Sequence, residues 1–108
     1  MMRNIAGMMK KVQDMQDQFR AMQADLAVMK FTAIVGGDAV SATVTGNGEL
    51  VKLKLNPEKL DLGDTEMLED MICLATNNAQ QQAGDKKARM IKDITGGLPL
   101  PPGMNLPF

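Results

Sequence analysis

Apolar residues recur at alternating spacings of three and four through the first 30 positions: Ile5, Met8, Val12, Met15, Phe19, Met22, Leu26 and Met29. This period predicts an amphipathic helix from about Asn4 to Met29, roughly 40 Å long at about 1.5 Å per residue. Its seam is one narrow stripe, so it needs an elongated partner surface, and self-association is the first expectation. The flanking positions, among them Lys11, Gln16, Gln18, Gln23 and Asp25, carry few opposed charges. The seam is therefore expected to pack on another helix and a sheet rather than on its own copy throughout.

From residue 31 the period changes to two. Phe31 to Val35 reads as a strand ending at Gly36-Gly37-Asp38, and Ala39 to Thr45 as a second, with Val40, Ala42 and Val44 inward. Gly46-Asn47-Gly48 supplies a tight turn into a third strand, Leu50 to Asn56. That strand is expected to bury Val51, Leu53 and Leu55 and to turn Lys52 and Lys54 to the opposite, polar face. Pro57 stops it, lacking a ladder donor.

Asp64 is placed to cap a second helix, with Glu66, Glu69 and Asp70 suited to its positive end. The apolar stripe of this helix is Leu68, Ile72, Ala75, Ala79, Ala83, Met90 and Ile94, and Gly96-Gly97 ends it. Gly84, costing about 1 kcal/mol inside a helix, is expected to bend or fray it. The order α-β-β-β-α predicts an α+β fold, a small antiparallel sheet flanked by two long helices. One domain is expected over residues 1–98, with a Pro-rich, flexible tail over residues 99–108.

Composition narrows the chemistry. Eleven Met and three Phe, with no Trp or Tyr, imply cores filled by an adaptable, loosely specifying side chain. The absence of His removes Ser-His-Asp and Cys-His nucleophilic arrangements and most catalytic zinc sites. The single cysteine, Cys73, excludes an intrachain disulfide and suits a reducing compartment. It is expected to be a small buried hydrophobe in the second helix. The N-terminus has no continuous apolar run, so no signal peptide or membrane span is expected, and the location is expected to be cytoplasmic.

A net charge of −1 conceals a sorted distribution. Residues 1–30 set Arg3, Lys10, Lys11, Arg20 and Lys30 against Asp14, Asp17 and Asp25. Residues 58–74 set Lys59 alone against Glu58, Asp61, Asp64, Glu66, Glu69 and Asp70. Residues 75–108 set Lys86, Lys87, Arg89 and Lys92 against Asp85 and Asp93. An acidic middle thus lies between two basic ends, and local potential governs what approaches.

The acidic cluster lacks the spacing and the glycine of a calcium loop and reads as a cap and a solvated helix start, so no metal is expected. Gly46-Asn47-Gly48 is too short to cradle phosphates. Lys52 and Lys54 could touch a nucleic-acid backbone or simply solubilise a sheet face. No aromatic residue stands among the basic positions, which disfavours single-strand stacking platforms. The run Lys86-Lys87-x-Arg89-x-x-Lys92 is the strongest basic footprint, although by itself it reads more readily as a solvated face whose cations suit the negative end of the helix.

Several segments together carry a family resemblance. They are MMKKVQDMQDQFRAMQ (residues 8–23), VSATVTGNGELVKLKLNPEKL (residues 40–60), TEMLEDMICLATNNAQQQA (residues 65–83) and the ending RMIKDITGGLPLPPGMNLPF. The chain resembles the YbaB/EbfC family of bacterial nucleoid-associated proteins. The most specific pieces are the G-x-G-E-L hairpin, Asn56-Pro57, the L-E-D-x-I helix start and the T-G-G-L…P-G-M ending.

The resemblance implies a tweezers-like homodimer that binds double-stranded DNA in the nucleoid, with effects on nucleoid organisation and gene expression. Contacts to phosphates, which position a protein without specifying sequence, lead to an expectation of weak sequence preference. It also implies DNA contact through the two helices. The candidates are Arg3, Lys10, Lys11, Arg20, Lys86, Lys87, Arg89 and Lys92. Val12, Met15, Phe19, Met22, Leu26 and Met29 are the candidate dimer or core seam. No cofactor, catalytic residue or small-molecule substrate is expected. The competing reading is a Met-rich protein-protein interaction module with no direct DNA role.

Overall fold

The computed structural model describes residues 2–96, with side chains from Ala6 onward. Arg3, Ile5 and the expected tail therefore lie outside the described side chains. Five elements follow one another: α1 (Met2–Val28), β1 (Lys30–Val35), β2 (Val40–Thr45), β3 (Leu50–Leu55) and α2 (Thr65–Thr95). The strands form an antiparallel meander in the order β1-β2-β3.

The sheet packs one face on α2. Val40, Ala42 and Val44 of β2 and Ala33 of β1 meet Ala75, Ala79 and Ala83, all buried. Alanines one turn apart form a flat ridge, which lets the helix lie close over the strands. Phe31, Val35, Leu60, Leu68, Met71 and Ile72 close the margins. A second, smaller core joins the helices: Phe19, Met22 and Leu26 of α1 against Met90, Ile91 and Ile94 of α2, with Met15 and Met29 half-buried. The C-terminal half of the heptad thus packs on another helix, as its sparse flank charges imply.

The two long helices are anchored at their ends. Asp64 caps α2, its Oδ1 accepting from the Met67 backbone N–H at 3.1 Å. The helix runs unbroken through Gly84, so it does not fray there, and it stops at Gly96 in the left-handed conformation. The end of α1 is held by the β2–β3 turn, where the Gly46 N–H donates to the Leu26 carbonyl at 2.9 Å and to the Met29 carbonyl at 3.2 Å. These hydrogen bonds satisfy carbonyls that a helix end leaves without partners.

Three expectations are corrected. Val51, Leu53 and Leu55 are not buried: they are 47%, 39% and 39% exposed. Leu53 and Leu55 do lie on the helix side, opposite Ala42 and Val40, but α2 covers β1 and β2 and leaves the edge strand overhanging. Val51 is the extra residue of a bulge, because Thr43 pairs with Lys52 and Val44 with Leu50.

Cys73 is exposed. Two residues before Ala75, it lies about 200° around the helix from the buried ridge. Val12, placed in the seam, is also exposed, as are Met8 and Met9, because α1 runs past the end of the second core. The protein is correspondingly elongated: its radius of gyration is 19.6 Å and its long dimension 71 Å. A compact chain of this length would have a radius of gyration of about 13 Å.

Candidate nucleic-acid interface

The cations expected on the helices do not form one surface. On α1, Lys10 and Lys11 are exposed with no carboxylate partner among the described residues. At about 100° per residue, however, Lys10 shares the back of the helix with Asp14 and Asp17. Arg20 stands 3.8 Å from Asp17, both well exposed, an arrangement of little energetic weight. On α2, Lys86 and Lys87 are half-buried, whereas Arg89 and Lys92 are exposed. Lys87 lies on the side that Met90, Ile91 and Ile94 turn to α1; Arg89 and Lys92 lie on the other.

The open face of the sheet is organised differently. Alternation from Lys30 puts Lys30, Thr32 and Ile34 of β1 on the face away from α2. Register adds Ser41 and Thr43 of β2 and Lys52 and Lys54 of β3. Two rows cross the sheet, Thr32–Thr43–Lys52 and Ile34–Ser41–Lys54. The Thr32 and Thr43 hydroxyls are hydrogen-bonded to each other at 2.8 Å. Sequence reasoning misses Lys30 because it starts the strand one residue late; the period-two relation of Lys30 to Thr32 is the signal that could have found it.

The acidic segment serves local structure. Asp61 Oδ1 accepts from the Gly63 N–H at 3.0 Å, and Asp64 caps α2. At the β1–β2 turn, Lys59 Nζ donates to the Gly37 carbonyl at 2.7 Å and stands 3.6 Å from Asp38. Among the described residues no group of three or more acidic or cysteine side chains is placed to hold a metal ion. No described helix is long and apolar enough to cross a membrane.

The family model described as the YbaB/EbfC DNA-binding family matches residues 1–98. The chain belongs to this family. Nucleoid-associated protein R00231 of Rhizobium meliloti (strain 1021) is 40% identical over 107 residues, which cover 99% of this chain and 100% of that protein. A nucleoid-associated protein of Brucella ovis is 39% identical over the same share of both chains. Among solved structures, uncharacterized protein HP0035 from Helicobacter pylori superposes with a TM-score of 0.72. The superposition covers 85% of this chain and 94% of that one at 22% identity, a likeness of fold. The YbaB/EbfC match spans both helices and the whole sheet, so every described cation falls within it.

Proposed function

We propose that this YbaB/EbfC chain is a nucleoid-associated protein that binds double-stranded DNA as a homodimer with weak sequence preference. Membership of a DNA-binding family is the observation that carries the reading. The physical support is a set of exposed cations on rigid elements, Lys10, Lys11, Arg20, Arg89 and Lys92, without aromatic residues among them. Such groups contact phosphates, which position a protein on DNA without reading its bases.

The homodimer is supported by apolar surface that one chain leaves uncovered. Met8, Met9 and Val12 on α1, and Leu50, Val51, Leu53 and Leu55 on β3, are all more than a third exposed. A second copy of the chain would cover both sets reciprocally about a two-fold axis, as closed dimers do. The nucleoid is the corresponding location, with nucleoid organisation and gene expression as the affected processes.

The test is DNA affinity, by fluorescence anisotropy on duplexes of unrelated sequence, as KCl is raised. With about four to six phosphates neutralised per dimer, the log-log slope should be about −4 to −5. Unrelated duplexes should bind with similar affinity. A salt-insensitive affinity, or none, overturns the DNA reading. Retained dimerisation without DNA binding would instead favour the protein-interaction reading that the exposed methionines of α1 suggest.

A further inference from the structure

We propose that the open face of the sheet, centred on Lys30, Lys52 and Lys54, is a second phosphate-binding surface, which seats the backbone of duplex DNA. The inference rests on the DNA-binding reading above and assigns that function to residues outside the two helices.

Three features of the face carry it. The first is its charge. Lys30, Lys52 and Lys54 make no ion pair among the described residues, and the rows of Lys52 and Lys54 hold no carboxylate. Glu49, at the β2–β3 turn opposite Thr45, is the acidic residue that register brings into the row of Lys30. The helical cations are interleaved with Asp14, Asp17, Asp85 and Asp93. Asp38 and Glu58 stand only at the β1–β2 end, around a concavity shared with Ser41 and Lys54, and Asp38 already faces Lys59.

The second is layering. The acidic start of α2, with Glu66, Glu69 and Asp70, belongs to the helix packed on the other side of the sheet. Folding therefore separates an acidic layer from a basic one that are adjacent in sequence. A potential of one sign over one face concentrates a polyanion there.

The third is donor geometry. Lys52 and Lys54, two residues apart on one strand, are spaced by about 7 Å along it, and the ladder fixes their direction. In the Thr32–Thr43 pair one hydroxyl donates to the other, so the second keeps its proton for an outside acceptor. Lysine ammoniums and threonine hydroxyls are common donors to phosphate oxygens. No helix or loop is needed to present these donors, in keeping with binding that follows the backbone rather than entering a groove.

The test compares full-length wild type with K30Q/K52Q/K54Q, K30R/K52R/K54R and, as a helix control, K10Q/K11Q. Affinity for one duplex is measured across KCl, with circular dichroism and light scattering as checks on fold and mass. The Gln triple should weaken binding at low salt at least tenfold and make the log-log slope shallower by about one for each phosphate that is no longer neutralised. The Arg triple should retain both. An unchanged slope and affinity in the Gln triple, with the helix control impaired, overturns the sheet surface and leaves the DNA-binding reading intact. A Gln triple that changes dimer mass but not the salt slope also overturns it, since the face would then be a protein interface. No binding by wild type removes both readings together.

Discussion

Gly46 sits where no side chain fits. A Cβ there would lie 2.6 Å from the Leu26 carbonyl oxygen and 2.8 Å from the Leu26 Cα, both backbone atoms that cannot swing aside. The close approach is what lets its N–H reach two carbonyls at the end of α1. Gly46→Ala must therefore push α1 off the β2–β3 turn, and overpacking of this kind costs about 1–3 kcal/mol. Urea unfolding should show that loss, whereas Gly84→Ala, with open space around it, should be neutral or stabilising. The G-x-G-E-L motif is readable as a hairpin, but the grip of its first glycine on a helix twenty residues earlier is not. A turn signal describes local torsions and says nothing of what packs above the turn.

Among elements, α1 is divided between two roles by where its partner ends. Phe19, Met22 and Leu26 are 3%, 2% and 0% exposed, while Met8 is 65% exposed on the same heptad stripe. Met22→Ala removes a fully packed side chain and should cost about 2–5 kcal/mol in unfolding experiments at any protein concentration. Met8→Ala should leave the stability of the folded chain within about 0.5 kcal/mol. Any larger effect of Met8→Ala should appear as a shift in dimer dissociation. The heptad predicts the helix and its packing stripe. It does not predict how much of the stripe the chain itself fills, because periodicity is the same in a buried turn and a protruding one. The edge strand repeats the lesson. Alternation assigns Leu53 and Leu55 correctly to the helix side, yet α2 lies over β1 and β2 and leaves them part-exposed.

For the whole molecule, the 71 Å length and the two apolar surfaces bear on the homodimer. Stable pairs of proteins bury about 800 Å² on each partner. Leu53→Lys places a charge on the overhanging face of β3 without entering the chain's own core. It should lower the dimer mass seen by multi-angle light scattering while the circular dichroism spectrum is kept. A wild type that is monomeric at micromolar concentration would overturn the dimer.

By itself, the sequence determined the element order, the cap at Asp64, the turns at Gly36-Gly37 and Gly46-Asn47-Gly48, and the family. These depend on local torsion, capping and period, which neighbouring residues along the chain encode. Only the tertiary structure decided that Cys73 faces outward, that β3 is an uncovered edge, and that Lys30, Lys52 and Lys54 share a face opposite the acidic start of α2. Each depends on which element α2 lies across, and long-range packing selects that crossing after local preferences have been met. The charges were countable along the chain; the surface they form was settled by the layer each strand and helix came to occupy.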